Sequence, residues 1–170
     1  MKALIVVDMQ NDFVLGSLGS EQAKAVVPFV KEEIEIRLKQ GFKLFFTKDT
    51  HGENYLKTRE GNYLPVVHCI TKSEGWETVE ALKKFLPMAA QVEKDNFGYL
   101  AWKKALGKNV EEIELIGVCT DICVISNALI LRALYSEAEI FVKANCCAGV
   151  TPQLHQSALT VMKSCHIKII

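Results

Sequence analysis

The stretch that decides the fold is Glu114-Leu115-Ile116-Gly117-Val118-Cys119-Thr120-Asp121-Ile122-Cys123-Val124, an apolar run that passes through a glycine and continues as a helical pattern. Residues 113–118 are apolar and rich in β-branched side chains, so they predict a short buried strand that ends near Gly117. Thr120 or Asp121 can then cap a helix. Cys123 falls on the first turn of that helix.

The position of Cys123 permits two interpretations. A thiol at a helix N-terminus lies near unpaired N–H groups and the positive end of the helix dipole, which favours the nucleophilic thiolate. The same N–H groups can hold the oxyanion of a tetrahedral intermediate. A small apolar cysteine that begins a buried helix is the structural alternative, because buried thiols are common. Position alone therefore assigns no catalytic role.

Length and composition limit the possible classes of protein. The 170 residues predict one domain, 1–170, with one substantial core. Twenty basic and twenty acidic residues give a formal net charge of zero, which argues against nucleic-acid or membrane partners and favours a small-molecule substrate. Met1-Lys2 leads directly into an apolar strand without a secretory segment. We therefore expect a cytoplasmic protein whose six cysteines are reduced thiols.

Strand and helix patterns alternate along the chain. Apolar strands are predicted at 3–7, 42–47, 90–93, 113–118, 140–144 and 167–170. Helices are predicted at 21–40, 76–86, 100–106, 124–135 and 152–163, and Pro28 predicts that the first of them begins late or kinks. Strands that are apolar on both faces and alternate with helices indicate an α/β fold with a mostly parallel six-stranded sheet covered on both sides.

Polar residues of the types that act in catalysis or metal binding follow several of these strands. Asp8, Asp49 with His51, Lys94 and Cys123 all stand just past the carboxyl ends of predicted strands. In doubly wound sheets the ligand crevice lies outside those ends, where the strand order reverses. A helix-capping role is the structural alternative for Asp8. Four separate structural explanations would have to coincide at one edge, so we expect a functional site there.

Asp49, His51 and His68 form a candidate metal set. Asp-x-His at the tip of an extended segment places two side chains on the same side, and a loop can bring a third ligand. Two imidazoles and one carboxylate with open positions suit zinc, iron or manganese. A pair of hydrogen-bonded loop histidines is the alternative.

Four segments together resemble the isochorismatase-like cysteine hydrolases, and within them the nicotinamidase branch, over nearly the whole chain. The segments are Val7-Asp8-Met9-Gln10-Asn11-Asp12-Phe13, the Asp49-Thr50-His51 to His68-Cys69 pair, Glu93-Lys94 with Phe97, and 117–124. The resemblance implies a three-layer doubly wound sandwich. It also implies a triad in which Asp8 is the base, Lys94 the cation and Cys123 the nucleophile that forms a thioester. The backbone N–H groups of Cys119 and Cys123 would form the oxyanion hole, beside a cis peptide between Val118 and Cys119.

The resemblance further implies hydrolysis of nicotinamide to nicotinate and ammonia. Asp49, His51 and His68 would hold one divalent ion, with zinc preferred over iron or manganese, and this ion would bind the pyridine nitrogen. Phe13 and Leu64 would lie against the ring. Pro65 stands where nicotinamidases usually have a tryptophan, so another amide, ureide or carbamoyl substrate stays an alternative. A noncatalytic binding relative is a further alternative, but such a protein would be expected to lack a triad residue. The resemblance also implies a homo-oligomer.

Overall fold

The computed structural model describes residues 1–170. The strands are β1 (Lys2–Val7), β2 (Lys43–Asp49), β3 (Ala89–Lys94), β4 (Glu112–Val118), β5 (Glu139–Ala148) and β6 (Lys168–Ile169). The α-helices are α1 (Asn11–Val14), α2 (Glu21–Lys39), α3 (Arg59–Tyr63), α4 (Glu80–Lys83), α5 (Trp102–Leu106), α6 (Ile125–Leu134) and α7 (Pro152–Ser164). None of the helices combines the length and the apolar composition that crossing a lipid bilayer requires.

All six strands form one parallel sheet in the order β3-β2-β1-β4-β5-β6. The chain adds β2 and β3 on one side of β1, then returns to place β4 on its other side. The order therefore reverses between β1 and β4, and this reversal is where a doubly wound sheet opens a crevice at the carboxyl ends of its strands. The α/β sandwich that the sequence predicts is confirmed, with a sheet that is parallel throughout.

Alternation along β1 shows how the sheet is covered. Ala3, Ile5 and Val7 belong to a core packed under α5, α6 and α7. Leu4 and Val6 face the opposite way, into a core packed under α2 and α4. Both faces of the central strand are thus fully buried, as its unbroken apolar sequence requires.

Three predicted elements differ from the structure. The helix predicted at 76–86 is wrong, because this segment pairs with residues that follow β1: Asn11 N donates to the Glu77 carbonyl at 2.8 Å, and Val79 N donates to the Met9 carbonyl at 3.0 Å. Only α4 and a 3₁₀ turn remain helical there. Helix α2 begins at its Ser20 cap and runs through Pro28. Strand β5 extends to Ala148, after a register irregularity opposite β4.

Candidate active site

Asp8 directly follows β1, one of the two strands between which the strand order reverses. Its φ of 47° lies in the left-handed region, which aspartate tolerates better than most residues. Thr47 on β2 forms two hydrogen bonds with Asp8: the Asp8 N–H donates to Thr47 Oγ1 at 3.1 Å, and that hydroxyl donates to Asp8 Oδ1 at 2.5 Å. The other carboxylate oxygen, Oδ2, lies 2.7 Å from Lys94 Nζ. The carboxylate is therefore fixed in place by a hydroxyl and a cation.

Lys94 joins the other groups at this edge. Its Nζ lies 3.7 Å from Cys123 Sγ and 3.1 Å from Asp49 Oδ1, and it donates to the Asn96 carbonyl at 3.0 Å. Burial would lower the pKa of this ammonium, but the surrounding Asp8, Cys123 and Asp49 outweigh burial and raise it. These neighbours therefore favour the charged form of Lys94, and its ammonium contacts both Asp8 and Cys123, the two residues with which the sequence analysis groups it.

The surroundings of Cys123 act on its thiol in opposite directions. Complete burial, together with the negative charge of Asp8, raises the pKa of Cys123 well above its ordinary value, although Lys94 opposes the change. Burial also raises the pKa of Asp8. The helix N-terminus and the Lys94 cation, which favour the thiolate, are therefore opposed by burial and by the neighbouring carboxylates.

The turn that carries Cys123 departs from the predicted α-helix start. Residues Thr120–Val124 form a turn of π-helix before α6 begins, and the peptide bond between Val118 and Cys119 is cis. Gly117 precedes it inside β4 with a φ of 116°, and a Cβ at this position would lie 2.2 Å from the Val7 carbonyl oxygen. Only glycine fits there, so β4 approaches β1 closely just before the cysteine.

Asn127 ties the cysteine turn to the loop after Lys94. Its Nδ2 donates to the Cys123 carbonyl at 2.8 Å and to the Phe97 carbonyl at 3.2 Å. Its Oδ1 accepts from Tyr99 N at 3.0 Å and from Trp102 Nε1 at 2.9 Å. The side chain is fully buried and satisfied. Asn127 therefore fixes the cysteine turn relative to the loop that follows Lys94.

Beside Lys94, four side chains direct ligand atoms at one point. They are Asp49, His51, Glu60 and His68, whose ligand atoms all lie within 4.8 Å of one another. His51 Nε2 is 2.9 Å and His68 Nε2 is 3.5 Å from Asp49 Oδ2, while Glu60 Oε1 is 3.7 Å from each histidine nitrogen. The structure thus brings the three predicted ligands together and adds a second carboxylate.

The chemistry of this set fits a divalent cation. The Nδ1 atom of His68 lies 2.8 Å from the Val66 carbonyl, which can only accept, so Nδ1 carries a proton and Nε2 presents its lone pair in the neutral ring. That lone pair faces the carboxylates of Asp49 and Glu60. Acceptors converging in a largely buried space need a positive charge between them. Two imidazoles and two carboxylates suit zinc, iron or manganese.

Neighbouring side chains hold the ligands in place. The Gln10 side chain forms two hydrogen bonds with the backbone of Asp49: its Nε2 donates to the Asp49 carbonyl at 2.9 Å, and its Oε1 accepts from Asp49 N at 2.7 Å. The buried Tyr55 ring packs 4.8 Å from the His51 ring and 4.9 Å from the His68 ring, measured between centroids. These contacts restrict the orientation of three ligands.

A cavity of about 320 Å³ opens above these groups. Cys119, Cys123, Asp49, Glu60 and His68 all line it, so the thiol and the ligand set border one space. The predicted substrate-binding residues Phe13 and Leu64 both line it, and the Phe13 and His68 ring centroids are 5.4 Å apart.

Sequence reasoning missed Glu60, Tyr55 and Asn127. Thr58 is a recognisable helix cap before Glu60, but no spacing rule connects this glutamate with the two histidines. Tyr55 lies in a stretch that reads only as a polar loop. Asn127 sits on a helical pattern where a solvated asparagine is the ordinary expectation.

The whole chain corresponds to a known family. The model of the isochorismatase domain matches residues 2–170. The doubly wound sheet with a cysteine at its strand-order reversal therefore has a defined class: the chain belongs to the isochorismatase domain family.

Individual relatives are similar over their full length. A nicotinamidase/pyrazinamidase of Mycobacterium tuberculosis is 24% identical over 199 residues, which cover 100% of this chain and 98% of the relative. The crystal structure of a Pyrococcus horikoshii pyrazinamidase in complex with zinc is 30% identical with a TM-score of 0.82, covering 99% of this chain and 98% of that one. A nicotinamidase/pyrazinamidase structure from Bacillus subtilis is 26% identical with a TM-score of 0.87 and 99% coverage of both chains.

Proposed function

We propose that this protein is a metal-assisted cysteine amidase that hydrolyses nicotinamide to nicotinate and ammonia. The observation that carries the proposal is the contact of one buried ammonium, Lys94, with both Asp8 and Cys123, next to a convergent ligand set in the same cavity. The nicotinamidase and pyrazinamidase relatives support an amide as the substrate class.

In the proposed first half-reaction, Asp8 accepts the Cys123 proton as the sulfur attacks the amide carbonyl carbon. Burial and the neighbouring Asp8 raise the pKa of the thiol, and the proposal therefore assigns its deprotonation to a base. The backbone N–H groups of Cys119 and Cys123 would stabilise the oxyanion. The C–N bond then breaks, Asp8 returns the proton to the leaving nitrogen, and ammonia departs from a thioester.

In the second half-reaction, water attacks the thioester carbon while Asp8 accepts a water proton. The C–S bond breaks, nicotinate forms, and Asp8 gives the proton back to the Cys123 sulfur. Lys94 remains charged throughout and holds the Asp8 carboxylate 2.7 Å away. The cycle consumes one amide and one water, and it leaves both side chains in their starting states.

Asp49, His51, Glu60 and His68 would hold the divalent ion, zinc by analogy with the Pyrococcus structure. When bound, the ion supplies a Lewis acid for the pyridine nitrogen and so orients the ring. Phe13 and Leu64 line the space available to that ring. A homo-oligomeric assembly and a cytoplasmic location stay predictions from the sequence.

Ammonia release from nicotinamide and pyrazinamide tests the reaction. Cys123→Ala should abolish turnover, whereas the matched Cys165→Ala, which removes a thiol at the end of α7 outside the cavity, should retain it. Retained turnover in Cys123→Ala would contradict the thiol mechanism.

Metal content tests the ligand set separately. His68→Asn should lower the zinc content of the purified protein, while His166→Asn, at an exposed position after α7, should not. Removal of the ion with a chelator should lower kcat/KM for nicotinamide, and readdition of zinc should restore it. An unchanged kcat/KM after verified metal loss would contradict the orienting role.

A further inference from the structure

His155 contacts the cysteine turn, Thr120–Val124, and the proposed mechanism gives this histidine no role. It is half-buried near the start of α7, and its Nδ1 lies 2.8 Å from Thr120 Oγ1. Thr120 is fully buried, and His155 is the one hydrogen-bonding partner of its hydroxyl. Because a buried hydroxyl without a partner is costly, this pair fixes the cysteine turn to α7.

A second hydrogen bond joins the cysteine turn to the segment that leads into α7. Asp121 Oδ1 accepts from Val150 N at 2.9 Å. Gly149 permits this close approach, since a Cβ there would lie 2.6 Å from Asp121 Oδ1 and 2.9 Å from His155 N. Gly149 and Val150 also line the cavity above the thiol. Residues 149–155 therefore form part of the cavity wall and also support the cysteine turn.

The two supported residues occupy a position that matters for the proposed reaction. Thr120 and Asp121 lie between Cys119 and Cys123, whose backbone N–H groups would stabilise the oxyanion. The direction of these N–H groups follows the path of the turn, because each peptide unit is planar. A displaced turn would misdirect both donors, and such donors act on the charge that develops in the transition state.

We infer that His155 is a positioning residue that acts through the Thr120 hydroxyl and holds the cysteine turn in the geometry that the oxyanion requires. The inference rests on the proposed amidase function and deepens it. His155 does not line the cavity that contains the thiol. Its removal should therefore lower kcat and leave the affinity for the amide almost unchanged.

Steady-state ammonia release from nicotinamide tests this role. His155→Leu removes the ring nitrogen and leaves the Thr120 hydroxyl unpaired, so kcat should fall by about tenfold or more while KM changes by less than about twofold. His155→Asn places an amide atom where Nδ1 lies and should restore most of the wild-type kcat. The matched Thr160→Val removes an exposed hydroxyl from the same helix and should leave kcat unchanged.

A double-mutant cycle assigns the effect to the contact itself. Thr120→Val should also lower kcat, and the double variant with His155→Leu should fall no further than the more affected single variant, because both substitutions remove one hydrogen bond. Losses that multiply in the double variant would overturn the inference. A rise in KM alone, or lower thermal stability with an unchanged kcat, would overturn it as well.

Failure of the positioning role and failure of the proposed reaction give different results. Turnover of nicotinamide with an unchanged kcat in His155→Leu overturns the positioning role and leaves the amidase proposal standing. If the wild type hydrolyses neither nicotinamide nor pyrazinamide, backbone hydrogen exchange of residues 119–124 decides. Faster exchange in His155→Leu that His155→Asn reverses supports positioning of the turn, and unchanged exchange overturns it.

Discussion

Two groups of buried charged side chains flank the central strands, and they differ in their surroundings. The first group, which we propose is catalytic and call the catalytic network, consists of Asp8, Asp49 and Lys94 with the thiol of Cys123, and it borders a cavity at the carboxyl ends of the strands. The structural network consists of Glu33, Arg37, Glu114 and Lys143, between α2 and the strands β4 and β5.

The structural network satisfies its own charges. Arg37 lies 2.7 Å from a Glu33 oxygen and 2.5 Å from a Glu114 oxygen, and Lys143 lies 2.5 Å from the other Glu33 oxygen. The cavity that contains Cys123 does not reach it, and it includes no nucleophile. Buried charge alone therefore does not define an active site. A cavity and a reactive atom at the same place distinguish the two networks.

The largest expected effect separates the networks by activity. Asp8→Asn removes the proposed base but keeps the shape of the side chain, so kcat for nicotinamide should fall by roughly 10²–10⁴-fold. Circular dichroism should show an unchanged fold. A kcat close to that of the wild type would remove Asp8 from the mechanism and weaken the distinction between the networks.

The converse substitution tests stability. Arg37→Met leaves the fully buried Glu114 without its cation, and we expect a loss of about 3–5 kcal/mol in the free energy of unfolding. Urea denaturation measures this loss. At temperatures where the variant is folded, kcat/KM should match the wild type. A large fall in kcat/KM of the folded variant would show that the two networks are coupled.

Asn127 lies outside both networks and is expected to give an intermediate result. Asn127→Leu removes four hydrogen bonds and leaves buried partners unsatisfied, so unfolding should become easier by roughly 1–3 kcal/mol. Because the Cys123 carbonyl loses a donor, kcat should fall more than the affinity for nicotinamide. A loss of stability with unchanged kcat would make Asn127 a structural residue only.

The last effect is the most gradual, because it is spread over a range of pH. Burial raises the pKa of Glu114 to about 7, although Arg37 opposes it. The folded state therefore retains a proton that the unfolded state releases near pH 4.5, and stability should decline as pH rises from about 4.5 to 7. The pKa of Glu33 is lowered, so it titrates below this window. Glu114→Gln should flatten the decline, by about 1.4 kcal/mol for each unit of the shift. Parallel curves of stability against pH for the wild type and Glu114→Gln would contradict the assignment of this decline to Glu114.

The sequence predicts that the candidate site residues meet at one edge of the sheet, because each of them follows a predicted apolar strand. Asp8 follows an uninterrupted apolar strand, and Lys94 and Cys123 follow two others, so parallel packing brings them to one edge. The structural network could not be predicted in this way. Glu114 looks like an isolated acid in a strand, and its partner Arg37 is 77 residues away.

Local pattern also failed where tertiary contacts replace local hydrogen bonds. The segment at 76–79 has helical periodicity, but its backbone pairs with the chain after β1. Glu60 reaches the histidines only because α3 folds back over them. The partners of 76–79 are distant in sequence, and those of Glu60 lie eight and nine residues away, whereas helical and strand periodicity describes only nearer neighbours.

The pairing of β1 with β4 has a consequence for synthesis of the chain. Lys2 pairs with Glu112 and Val7 with Gly117, so the innermost strand acquires its second neighbour only after most of the polypeptide exists. Contacts of such long sequence separation slow folding and leave an apolar strand edge open meanwhile. On the ribosome, Cys123 is made more than a hundred residues after Asp8. A nascent chain therefore has no hydrolytic centre until β4 has emerged and docked.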